Sequence, residues 1–179
     1  MKNLFQTFVV SFLIMASHSL MAQTKVQTVD YVDLNRYIGT WYEIASIPQW
    51  FSKKCVCTQA KYSLTPKGNV RVINTCLKNT INGKVKRAKG IAKLVDRTTN
   101  AKLKVSFFWP FYGGYWIIAL GNDYQYAVVS NKEGSSLWIL SRTPELAPEF
   151  YDEAMAKIKA NEINTDRLKM TLQQGCPTI

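Results

Sequence analysis

Apolar and polar residues alternate through the middle of the chain in short runs separated by turn formers. Trp41 to Ile47 is aromatic and apolar. Cys57 to Leu64 alternates, and Thr65-Pro66-Lys67-Gly68 follows as a turn. Val70 to Cys76 sets Val and Ile among polar residues, and Thr80 to Gly83, ending in Asn82-Gly83, reads as a hairpin. Lys86 to Val95 precedes a turn at Asp96 to Asn100. Leu103 to Trp109 ends aromatic, and Pro110 to Gly114 is expected to break it. Tyr115 to Leu120, Tyr124 to Ser130 and Ser136 to Ser141 complete the set, with turns at Gly121-Asn122-Asp123 and Asn131 to Ser135. Eight short strands about ten residues apart predict an all-β antiparallel barrel or sandwich.

The period then changes. Phe150, Ala154 and Ile158 recur every four residues, with Tyr151 and Met155 beside them and Glu149, Asp152, Glu153, Lys157 and Lys159 outside the stripe. Pro148 suits a first helical position. The pattern predicts one C-terminal helix lying outside the sheet. Asp166 to Leu172 is expected to form a last short strand or tail.

The N-terminus has a different character. Lys2 precedes the apolar run Phe8 to Met15, and small or polar residues continue to Ala22. The pattern predicts a secretory signal over 1–22, cleaved after Ala22, and a single domain over 23–179. The run is well short of the ~20 residues of a spanning helix. The residue after the expected cut is Gln23, so no lipid-anchor cysteine is expected there. Export places the protein in the periplasm or outside the cell, with peripheral outer-membrane association compatible with both. Cleavage removes His18, the chain's one histidine. Catalysis through a Ser-His or Cys-His pair and histidine metal sites are thereby excluded.

All four cysteines, Cys55, Cys57, Cys76 and Cys176, lie beyond the expected cut. An even count in an exported chain reads as two disulfides. Cys55-Val56-Cys57 has one residue between thiols, too few for the usual zinc spacing, so no metal is expected. The same shortness disfavours a 55–57 bridge. Cys76, on the next strand, is within reach of either.

The net charge is +11, or +10 once Lys2 leaves. The cations, among them Lys53, Lys54, Lys84, Lys86, Arg87, Lys89, Lys102 and Lys104, are spread over several strands and turns. They form no compact nucleic-acid motif. They suit peripheral contact with an anionic membrane surface, or simply a solvated face.

Three segments carry a family resemblance. Gly39-Thr40-Trp41-Tyr42-Glu43 resembles the Gly-x-Trp signature of the lipocalins. Asn122 to Ala127 resembles their second motif, and Leu140-Ser141-Arg142-Thr143-Pro144 resembles their third. Order and spacing match over about residues 33–176. Val105 to Tyr115 and Leu137 to Pro144 are similar to the bacterial members related to apolipoprotein D. The resemblance implies an eight-stranded antiparallel up-and-down barrel with the helix outside. It also implies a cavity open at one end. Gly39, Trp41 and Arg142 would be structural, the guanidinium stacking on the indole at the closed end for about 1–2 kcal/mol. The resemblance further implies bridges Cys55–Cys76 and Cys57–Cys176, with Cys57–Cys76 and Cys55–Cys176 as the alternative. With Tyr62 and Val72 inward, parity puts Cys55 outward and Cys76 inward, so the first pairing asks for a bulge.

Parity and the resemblance together assign an inner wall. With Arg142 inward, so are Leu140, Trp138 and Ser136. The resemblance turns Ala60, Tyr62, Val70, Val72 and Asn74 inward. Leu103, Val105 and Phe107 share one face, as do Tyr115, Ile117 and Ala119. Small residues at Ala60, Ala88, Gly90, Ala119 and Ala127 are expected to leave room for a lipid-sized cavity. Trp50 and Phe51, after the first strand, and Phe108 to Tyr112 are expected as loops over the mouth. The expected lipid-binding set is therefore Tyr62, Val72, Asn74, Val105, Phe107, Tyr115, Ile117, Trp138 and Leu140, with Trp50 and Phe51. The expected ligand is a small apolar one, a fatty acid or lysophospholipid, carried or stored in the cavity in the service of membrane maintenance. No catalytic residue, metal or cofactor is expected, and the chain would act as monomer or homodimer. The alternative is an enzyme on the same fold, acting on a lipid through a free thiol or an acidic residue.

Overall fold

The computed structural model describes residues 26–179. The signal expected over 1–22 lies outside the described residues. Nine strands form one antiparallel sheet: β1 (Gly39–Ser46), β2 (Cys55–Leu64), β3 (Val70–Lys78), β4 (Val85–Leu94), β5 (Lys102–Phe108), β6 (Phe111–Leu120), β7 (Tyr126–Ser130), β8 (Leu137–Ser141) and β9 (Lys169–Met170). Each of the first eight pairs with its neighbour in sequence, and β1 pairs with both β8 and β2, which closes the barrel. Closure leaves no free edge among the long strands. Two helices accompany them, α1 (Leu34–Tyr37) before the barrel and α2 (Pro148–Ala160) outside it.

The strand pattern differs from the sequence reading in three places. Pro110 to Gly114 does not break the sheet: the turn is confined to Trp109 and Pro110, and Gly113 and Gly114 pair with Val105 and Lys104. Backbone hydrogen bonding holds these glycines in the ladder despite their poor strand propensity. Tyr124 belongs to the turn before β7, where its φ is +60°. The third difference is one of facing. β6 carries a bulge between Ile117 and Ala119, which pair with Val129 and Val128. The extra residue reverses the alternation. Ala119 therefore faces outward beneath α2 instead of inward with Ile117, and Leu120 packs against the interior cluster.

Two apolar clusters result. One fills the lower barrel and includes Val32, Tyr37, Trp41, Tyr62, Val72, Leu103, Ile117 and Leu140. The other lies between the outer wall and α2, where Ala154 and Ile158 are fully buried against Ile118, Tyr126, Val128 and Ile139. The helix stripe read from the sequence is the packed face, with Phe150 stacked on Tyr126 at 5.9 Å.

The C-terminal tail completes the wall. β1 and β2 pair only from Gly39–Tyr62 to Tyr42–Gln59 and then diverge. β9 takes the vacated edge, pairing Ala45 with Met170 and Ser46 with Lys169. Beyond it, Cys57 donates its N–H to the Leu172 carbonyl at 2.8 Å, and Gln173 Nε2 donates to the carbonyls of Glu43 and Thr58, each at 2.8 Å. One side chain thus bridges the two strands where their own ladder stops. Disulfides join Cys57 to Cys176 and Cys55 to Cys76. A bulge in β2 between Val56 and Gln59 brings Cys55 opposite Lys78, on the same face as Cys76, and Cys57 there has φ +55°. The bulge is the device that lets residues 55 and 57 serve different partners.

Candidate functional site

The closed end of the barrel is built around one cation. Arg142, directly after β8, places its guanidinium carbon 3.8 Å from the centre of the Trp41 ring. Its nitrogens donate to the carbonyls of Ile38 (3.0 Å), Thr40 (3.1 Å), Tyr37 (3.3 Å), Tyr124 (3.2 Å) and Arg36. A guanidinium's fixed donors suit such a ring of acceptors. Burial lowers the Arg142 pKa from its usual value. Gly39 has φ +104°, and a Cβ there would sit 3.1 Å from an Arg142 nitrogen, so conformation and space both favour glycine.

Above this plug the barrel floor is a chain of phenols. Tyr37, from α1, shares a hydrogen bond with Tyr115 at 2.8 Å, and Tyr115 donates to Tyr62 at 3.0 Å. Burial raises the pKa of all three, that of Tyr62 to about 12, so they stay neutral. They enclose a cavity of about 10 Å³ with Leu34, Val70, Val72, Ala92 and Leu103. That volume suits about one water molecule. The lipid-sized space expected in the barrel is therefore not at its base, because the aromatic rings of Tyr37, Tyr62 and Tyr115 span it. Ile117, wholly buried, and Leu140, 5% exposed, belong to this packed lower half.

Above the floor the lining is less buried. Val105, Asn74 and Trp138 are half-buried, and Phe107 is 40% exposed. The Phe107 ring lies against Gly90, where a Cβ would approach it to 2.8 Å. The room expected at Gly90 is thus taken by that ring. Trp138 and Leu140 pack against the interior cluster. The expected set accordingly divides into floor (Tyr62, Tyr115, Val72, with Ile117 and Leu140) and upper wall (Asn74, Val105, Phe107, Trp138).

Trp50 and Phe51 stand apart from both. They touch each other edge to face at 5.6 Å, and Trp50 is 82% exposed. Phe108, Trp109 and Phe111, in the β5–β6 turn at the same end, are exposed as well, Phe108 stacking on Phe111 at 6.4 Å. Exposed lysines share this rim: Lys53 and Lys54 after β1, Lys78 and Lys84 at the β3–β4 hairpin, and Lys86. Lys86 Nζ donates to the Phe51 carbonyl at 2.7 Å, and the Asn79 N–H to the Lys54 carbonyl at 2.7 Å, tying the first loop to the hairpin.

One interior group went unread in the sequence. Glu43 lies two residues past Trp41 and opposite Leu140, so it faces the barrel interior. Its Oε1 accepts from Ser46 Oγ at 2.9 Å and Thr171 Oγ1 at 2.7 Å. Burial raises its pKa, and those two hydrogen bonds offset part of the rise. The signal was period two inside an apolar strand, counted on from Trp41. Tyr37 also went unread, for its helix is too short to show a period. The Asp33 side chain, accepting the Asn35 N–H at 2.9 Å, was its available mark.

A closed eight-stranded barrel, a cation stacked on a tryptophan at its base and one helix outside define a lipocalin. The model of the Lipocalin-like domain matches residues 32–173, and the chain belongs to that family. The outer membrane lipoprotein Blc of Escherichia coli is 41% identical over 165 residues, 92% of this chain and 93% of the relative. Apolipoprotein D of Bos taurus is 38% identical over 154 residues, 81% of this chain and 79% of the relative. The structure of insecticyanin from Manduca sexta superposes with a TM-score of 0.66 at 21% identity, covering 82% of this chain and 83% of that one, a likeness of fold.

Proposed function

We propose that the protein is an exported lipid-binding lipocalin. It would take a fatty acid or lysophospholipid into the upper half of its barrel, as a carrier or store serving membrane maintenance. The observation that carries this reading is the contrast between the two halves. The base is closed by Arg142 and the phenols, while Val105, Phe107 and Trp138 present an accessible apolar wall above it. An acyl chain would lie against that wall. At about 0.8 kcal/mol per buried methylene, a dozen methylenes supply roughly 10 kcal/mol before the costs of association. An anionic head group would stay at the rim, beside the exposed Lys53, Lys54, Lys78, Lys84 and Lys86. The same lysines, with Trp50, Phe108, Trp109 and Phe111, suit passing contact with an anionic membrane surface. The names of the bacterial relatives, outer membrane lipoproteins, support an exported, envelope-associated setting. The bridging of all four cysteines counts against the thiol form of the enzyme alternative, since it leaves no thiol nucleophile among the described residues.

Trp138 reports on the reading. Titration with palmitic acid or palmitoyl-lysophosphatidylcholine should shift or quench its emission with a submicromolar to low-micromolar midpoint. The same titration of Trp138→Phe should lose that component and retain the signal of the other tryptophans. An unchanged spectrum with every acyl ligand to tens of micromolar would overturn it.

A further inference from the structure

The barrel's inner wall is not uniformly apolar. Glu43 on β1, Thr58 on β2 and Asn74 on β3 stand on three neighbouring strands at about one level. Asn74 pairs with Ala60, Thr58 lies two residues from Ala60 on the same face, and Gln173 ties the backbones of Thr58 and Glu43 together. Thr58 Oγ1 and Asn74 Oδ1 are shielded from water and have no hydrogen-bond partner. Glu43 spends only Oε1 on Ser46 and Thr171. Its Oε2 takes no hydrogen bond from the described residues. Buried polar atoms without partners cost on the order of 1–3 kcal/mol each, and native proteins keep few of them. Thr58 Oγ1 and Asn74 Oδ1, on neighbouring strands beside the half-spent Glu43 carboxyl, ask for a partner that the described residues do not provide.

The geometry points to a polar subsite on this wall that receives a hydroxyl group carried along an otherwise apolar ligand. This rests on the lipid-binding reading above and narrows its ligand class. Asn74 Oδ1 accepts and the Thr58 hydroxyl can accept or donate, so the pair matches an O–H group, which does both. It does not match a free carboxylate, which would face the buried Glu43 without a cation beside it. An unsubstituted acyl chain would leave Thr58 and Asn74 covered and unsatisfied, and so lose affinity. A site built to pair with a hydroxyl discriminates strongly against the analogue that lacks it.

The test compares stearic acid with 3-hydroxystearic and 12-hydroxystearic acid, the two hydroxyl positions probing depth, by calorimetric or fluorescence titration of the full mature chain. At least one hydroxy acid should bind about tenfold more tightly than stearic acid. Asn74→Leu should bring that ratio close to one. Thr58→Val, a change of one hydroxyl to a methyl, should reduce it in the same direction and guards against misfolding of the first variant. Without ligand, Asn74→Leu should melt higher than the parent, since it removes an unpaired polar group. Equal affinities for all three acids would overturn the subsite while leaving lipid binding intact, as would a tenfold ratio that persists in both variants. Failure of all three to bind would overturn both readings.

Discussion

Arg142 illustrates how one side chain can hold several elements at once. It covers the Trp41 ring and supplies donors to five carbonyls, from α1, its C-cap, the start of β1 and the turn before β7. Stacking alone is worth about 1–2 kcal/mol. Removing the guanidinium also takes the donors from these half-buried carbonyls, and with water replacing most of them this adds about 2 kcal/mol in all. Arg142→Ala should therefore cost about 3–4 kcal/mol and lower Tm by roughly 10 °C. Arg142→Lys should recover less than half of that, because an ammonium lacks the planar fork. Acyl-ligand affinity should change little in either. Thermal melts paired with Trp138 titrations check this: an unchanged Tm with lost binding would make Arg142 a ligand residue instead. The motif resemblance made the pairing with Trp41 readable in the sequence. The five carbonyls were not readable, because they depend on where α1 and the turn at Tyr124 come to rest.

Among the elements, the tail is the least ordinary. β9 and residues 171–173 occupy the place where β2 leaves β1, and the Cys57–Cys176 bridge fastens that arrangement across 119 residues. In the chain-entropy model a loop of this length contributes roughly 4–5 kcal/mol. The double variant Cys57→Ser/Cys176→Ser should melt roughly 10 °C lower. Its amide exchange should be fastest at Ala45, Ser46, Cys57 and Thr58, where the tail substitutes for a strand. A melt within a degree of the parent would mean that Gln173 and β9 hold the wall unaided. The hydrophobic pattern disclosed the eight strands and α2 because each has a strong period and a turn former at its ends. It did not disclose the bulges. The extra residue at Ile118 turns Ala119 outward, and the one near Cys57 separates its partner from that of Cys55. A bulge leaves no mark in a period-two pattern except after the fact.

At the scale of the whole molecule, the barrel joins a packed base to a less buried, lysine-bearing rim, with α2 and the tail packed outside. The fold was legible because order, spacing and three motifs agreed. The site was legible only in part. Parity named Val105, Phe107 and Trp138, yet it could not foresee that Tyr37, Tyr62 and Tyr115 would meet across the floor, or that Phe107 would fill the gap at Gly90. Those outcomes depend on rotamers and on α1, which alternation does not encode. The central claim is that the upper half of the barrel holds one acyl lipid. Native mass spectrometry of the exported protein, purified without detergent and then mixed with a small excess of palmitic acid or palmitoyl-lysophosphatidylcholine, tests it most directly. The account predicts one bound acyl molecule per chain, retained from the cell or taken up on mixing and released on unfolding. A chain that stays bare under both conditions would contradict it.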